Sequence, residues 1–132
     1  MEAATKTWIS STLASEAMSL AAVAGVLEWH DRAEVCDTLW RTGEEIMGAF
    51  RRAISASGAE GVTVAGIAPM WFVEWDTGER ESRFLELALE QGVLFKRGPY
   101  NFPAMAHDEQ TLIDIEHAAS TALVQLVEET QS

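Results

Sequence analysis

From residue 16 to residue 30 apolar positions follow one another with little polar interruption. The stretch Ala17 to Trp29 holds one glycine and no proline, which predicts a helix. Its apolar character runs most of the way round, the mark of a helix that is buried or held between two bodies. Asp31-Arg32-Ala33-Glu34 then reads as a break, a new N-cap and a capping-box acid. From 33 to 57 a second helix is predicted. Val35, Leu39, Ile46, Phe50, Ala53 and Ile54 recur near the helical period, and Glu44, Glu45, Arg51 and Arg52 face outward. Gly43 and Gly48 within it predict close packing against a neighbour. Cys36 falls on the apolar face and is expected to be a small core residue.

The pattern changes period at residue 61. Val62 and Val64 alternate with Thr63 and Ala65, Gly66-Ile67-Ala68-Pro69 makes a connection, and Met70–Trp75 is a β-branched and aromatic run. Two strands so close together are expected to pair antiparallel. A helix over 79–91 follows, with Phe84, Leu85, Ala88 and Leu89 inward and Gln91-Gly92 as its stop. Val93–Phe95 reads as a third strand, and residues 96–103 as a loop of turn formers. Asp108 caps a last helix with Leu112, Ile115, Ala119, Ala122, Leu123 and Leu126 inward, and a frayed polar tail from Glu128. The sum is an α+β fold, a small three-stranded antiparallel sheet covered by four helices.

The 132 residues suffice for one domain with a real core. A formal charge of −12 argues against nucleic-acid and anionic-membrane surfaces as partners, because no basic stripe is present. The single cysteine allows no internal disulfide and no cysteine-based metal site. The N-terminal residues lack a signal-peptide pattern and no apolar run is long enough to span a bilayer, so a cytoplasmic location is expected.

Candidate chemistry gathers at two places. Ser11, Thr12 and Ser15 precede the first helix, where unpaired N–H groups and the positive end of the helix dipole lie. They either cap that helix or seat an anion such as a phosphate. Lys96-Arg97, at the end of the expected third strand, reads by itself as a solvated charge pair. His107 stands alone before a helix start, without a base partner or metal co-ligand, and His30 and His117 show no ligand spacing. Glu16 sits where an acid favours a helix start.

The wording Ser11-Thr12-Leu13-Ala14-Ser15-Glu16-Ala17-Met18-Ser19-Leu20-Ala21-Ala22 resembles the S-T-F-G-G-E-x-L-S-L-A-A segment of class III pyridoxal-phosphate aminotransferases, nearest the glutamate-1-semialdehyde aminomutase branch. Ala14 and Ser15 stand where that segment has two glycines. Gly92-Val93-Leu94-Phe95 and Asn101-Phe102-Pro103-Ala104-Met105-Ala106-His107 extend the resemblance toward the C-terminus. It implies the small C-terminal domain of a fold-type I enzyme over 16–132, after a lead-in and phosphate-contacting segment over 1–15. It also implies that Thr12, with Ser11 beside it, contacts the phosphate of pyridoxal 5'-phosphate across a dimer interface. By the same resemblance a basic residue at Lys96 or Arg97 holds the carboxylate of a small amino substrate, and Glu16 lies near the cofactor edge.

Such an enzyme needs a Schiff-base lysine and an acid at the pyridine nitrogen. Lys6 and Lys96 are the only lysines, and neither matches the family's position. The expectation is therefore a chain inactive by itself that completes a site with a large pyridoxal-phosphate-binding domain or a homodimer partner. The alternative is a non-enzymatic, acidic α+β protein-interaction module whose first helix binds a protein. A decayed fragment, unstable alone, is the third reading.

Overall fold

The computed structural model describes residues 16–131. The chain divides into two compact units, Met1–Val35 and Cys36–Ser132. In the first, helix α1 runs Ala17–Arg32 with Glu16 at its N-cap. Glu16 thus lies outside the first turn, and its side chain makes no capping bond to the backbone. Its carboxylate instead accepts from the Ser19 hydroxyl at 2.9 Å. None of the residues of α1 is buried, although Met18, Val26 and Leu27 lie along it at 77%, 57% and 60% exposure.

Helix α2 spans Val35–Ser57, two residues later than the expected start at 33, because Asp31 and Arg32 still belong to α1. Burial along α2 becomes regular at Thr42, and Ile46, Met47, Phe50 and Ala53 form its core stripe. Between Cys36 and Arg41 no side chain is fully buried. Cys36 is accordingly exposed, a correction to its expected place in the core: in the first turns of α2 only Val35 is buried.

Strands β1 (Val62–Ile67) and β2 (Met70–Trp75) form an antiparallel pair, joined by Ala68-Pro69. On one face Val62 faces Trp75, Val64 faces Val73 and Gly66 faces Trp71, and the side chains of Val62, Val64, Trp71, Val73 and Trp75 pack on the core. Gly66 holds φ at +92°, and a Cβ there would stand 3.0 Å from Trp71 Cα, so a side chain would collide with the opposite strand.

Helix α3 covers Gly78–Glu90, and the Thr77 hydroxyl accepts from the Arg80 N–H at 3.3 Å as its N-cap. Phe84, Leu87 and Ala88 are its buried residues; Leu89, expected inward, is exposed. Helix α4 covers Glu109–Gln131 and buries Ile115, Ala118, Ala119, Ala122, Leu123 and Leu126. Asp108 caps it as expected, accepting from the Thr111 N–H at 2.8 Å and hydroxyl at 2.7 Å. The end of α4 is held rather than frayed. Arg83 of α3 donates to both carboxylate oxygens of Glu129, at 2.8 and 2.7 Å.

Among the described residues the sheet has two strands, not three. Val93–Phe95 is irregular because its first amide is already committed. The Val93 N–H donates to Ala88 O at 3.1 Å, closing the end of α3 where Gly92 turns at φ +85°. The pairing on that side is a single bridge in which Trp71 and Asn101 exchange both backbone bonds, at 3.1 and 2.6 Å. The core lies between this sheet and the helices of its unit. Phe50 sits at its centre, its ring 5.0 Å from Trp71, 5.1 Å from Phe95 and 6.1 Å from Phe84.

Candidate functional site

Ser11 and Thr12, the expected phosphate contacts, lie outside the described residues, as do Lys6 and Ser15. Lys96 and Arg97 lie in the turn-rich loop after α3. The Lys96 ammonium donates to the carbonyls of Arg97 and Pro99, at 3.2 and 2.8 Å. Arg97 donates to the Ser82 hydroxyl and stands 3.7 Å from a Glu81 oxygen. Glu81 also accepts from the Gly98 N–H at 2.7 Å. Both cations are thus engaged by acceptors of this unit. Arg97 ties the loop to α3, while Lys96 braces the loop on its own carbonyls.

The same loop holds Tyr100 at φ +79°, a left-handed conformation that is costly for an aromatic residue. Two constraints bear on it. Asn101 is fixed by its bridge to Trp71 and by its Oδ1, which accepts from the Lys96 N–H at 2.9 Å. The Tyr100 ring packs edge-on against Phe72, centroids 6.1 Å apart.

Beside this loop, and distinct from Lys96 and Arg97, a cleft of about 420 Å³ opens between residues 91–95, residues 101–107 and α4. Its floor is apolar, with Ile46, Trp71, Phe95 and Ile115 all buried. Its polar lining includes Asn101, His107, Asp114 and His117. His107 Nδ1 accepts the Ala104 N–H at 3.2 Å, so the neutral ring carries its proton on Nε2. Asp114 and His117 follow on one side of α4, three positions apart, and Asp114 accepts from the Gln110 side chain at 2.8 Å. The indole N–H of Trp71 has no acceptor, but it is sealed from solvent within the aromatic core.

His107, alone before a helix start in the sequence, lines a cleft and braces its own loop through the Ala104 N–H. His117, without ligand spacing in the sequence, lines the same cleft. Asn101 and Asp114 went unnoticed as polar lining. The Asp-x-x-His spacing on a helix was the available signal for Asp114 and His117; nothing local marks Asn101 beyond its place among turn residues.

Acid–base properties are perturbed at the helix ends and cross-links. The Thr111 hydroxyl, and after it the Thr111 N–H, hold the Asp108 carboxyl below its ordinary value. Hydrogen bonds from Arg83 do the same for Glu129. Among the described residues no group of three or more His, Cys, Asp and Glu is placed to hold a metal ion, and no helix is long and apolar enough to cross a membrane. No protein-family model matches the chain, and no curated protein matches it.

Proposed function

We propose that the chain is the C-terminal portion of a class III pyridoxal-phosphate-dependent aminotransferase or aminomutase, and that it completes a site whose large domain is supplied by another body. The observation that supports this reading is α1. It is apolar on most sides yet buries none of its residues, and such a surface in water calls for a covering body. The wording of residues 11–22 supplies the identity of that body, since in the resembling family this helix joins the small domain to the large one.

The described residues do not by themselves fit the cofactor. The only lysine among them, Lys96, has its amine held by two carbonyls. When bound in such enzymes, pyridoxal phosphate supplies an electron sink for bonds to the amino-bearing carbon. The part assigned to this chain is narrower. Ser11 and Thr12 present hydroxyls to the phosphate, and Lys96 or Arg97 meets a substrate carboxylate after release from its present acceptors.

Two measurements test the reading. Incubation of the chain alone with pyridoxal phosphate and borohydride is expected to leave Lys6 and Lys96 unmodified; a trapped adduct at either overturns the division of labour. Mixing with a separately prepared large domain of a class III aminotransferase is expected to protect residues 17–32 from hydrogen exchange. Absence of protection overturns the pairing. The same exposed helix serves the second reading, an acidic interaction module, which gains if only an unrelated protein protects α1.

A further inference from the structure

The cleft between residues 91–95, residues 101–107 and α4 has a feature that the proposed function does not use. Two of its polar residues are locked in place with a donor left over. Asn101 is held through its backbone N–H and C=O by Trp71 and through its Oδ1 by the Lys96 N–H. Its side-chain NH2 has no partner among the described residues. His107 is held through Nδ1 by the Ala104 N–H, which leaves Nε2–H as a donor. Both side chains are half-buried, so neither is a freely solvated surface group.

Below them the buried Ile46, Trp71, Phe95 and Ile115 offer an apolar floor, and about 420 Å³ is within the range of small-molecule pockets. Fixed donors cost little further entropy when an acceptor arrives, and they favour an oxygen over a bare hydrocarbon. The only formal charge on the lining is the carboxylate of Asp114, in a chain of net charge −12, which disfavours an anion.

From this we infer that the cleft is a binding site for a compact, uncharged, mainly apolar molecule bearing a carbonyl or amide oxygen, with Asn101 and His107 as its donors. The site is independent of Ser11, Thr12 and of any large domain, so its failure leaves the proposed function standing, and the reverse holds too.

The test is a titration of the 15N-labelled full chain with benzamide, toluene and benzoate, followed by amide and side-chain NH2 resonances. Benzamide is expected to move signals of residues 91–95 and 101–107 and the Asn101 NH2 pair in a saturable way. Toluene, the same ring without an oxygen, and benzoate, its anionic counterpart, are expected to bind more weakly. Asn101→Asp keeps an oxygen for the Lys96 N–H and removes the NH2 donor; it is expected to weaken benzamide about tenfold, the scale of one lost hydrogen bond. Equal binding of toluene and benzamide, shifts centred elsewhere, or a folded Asn101→Asp variant with unchanged affinity each overturns the inference. If that variant does not fold, the wild-type comparison of benzamide with toluene decides alone.

Discussion

Gly43 offers a test in which two physical rules pull in opposite directions. It lies inside α2, where alanine in place of glycine favours the helix by about 1 kcal/mol. Yet a Cβ at Gly43 would land within the van der Waals envelope of the Ala68 carbonyl, and 3.0 Å from Ala68 Cα, where the β1–β2 turn crosses the helix. The obstacle is backbone, so no rotamer change relieves it, and either the turn or the helix must shift. Overpacking of this kind costs about 1–3 kcal/mol, occasionally more, and rigid backbone places this site at the upper end. After the helical gain is subtracted, Gly43→Ala is expected to destabilise by about 2 kcal/mol. Gly48 is the matched control. A Cβ there meets only the end of the Arg52 side chain, at 3.4 Å and so near ordinary contact distance, so Gly48→Ala keeps the propensity gain. In urea, with a slope of about 1–3 kcal/mol per molar, the two midpoints move apart in opposite directions, by roughly 1–3 M in all. A Gly43→Ala protein as stable as the parent, or two variants shifted the same way, refutes the packing argument.

Phe50→Ala removes the ring around which Trp71, Phe84 and Phe95 are arranged and is expected to cost about 3–5 kcal/mol, read from denaturant unfolding. Asp108 and Glu129 have folded-state pKa values below their unfolded ones, so their contribution is whole above the ordinary carboxylate range and is lost as pH falls through the depressed folded values. Thermal midpoints measured down the acid limb are therefore expected to fall less steeply in an Asp108→Asn, Glu129→Gln double variant; an unchanged slope contradicts this. Leu20→Glu with Leu27→Glu, both on the uncovered α1, is expected to leave the unfolding of Cys36–Ser132 within about 0.5 kcal/mol of the parent, since neither side chain is buried. The same pair is expected to abolish protection of α1 by a large domain.

The helices were legible because their apolar spacing and caps agree: Ile46, Phe50 and Ala53 on α2, Phe84 and Ala88 on α3, Ile115 to Leu126 on α4, with Asp108 at the start of α4. What escaped the sequence is where packing stops and where the chain's own bonds are already taken. Cys36 shares the periodicity of α2 yet is exposed, beside a buried Val35. Val93–Phe95 has strand composition, yet the Val93 N–H is spent on the end of α3. Leu89 was expected inward on α3 but is exposed, and Leu87 supplies the buried leucine instead. The cleft was half visible. His107 stood out by residue type, whereas Asn101 gains its meaning only from the bridge to Trp71, thirty positions earlier. The cross-links Arg52–Glu116 and Arg83–Glu129 join partners 64 and 46 positions apart, beyond any local rule.

Both of those cross-links draw their acid from α4, the helix that also lays Ile115, Ala119, Ala122, Leu123 and Leu126 into the core. In chain order α4 follows everything it covers. During synthesis Phe50, Phe84 and Leu87 therefore leave the ribosome before the element that shelters them exists, and they remain available to chaperones or to one another until translation reaches Leu126. A stop codon anywhere ahead of Ile115 would consequently yield an unfoldable peptide rather than a smaller domain.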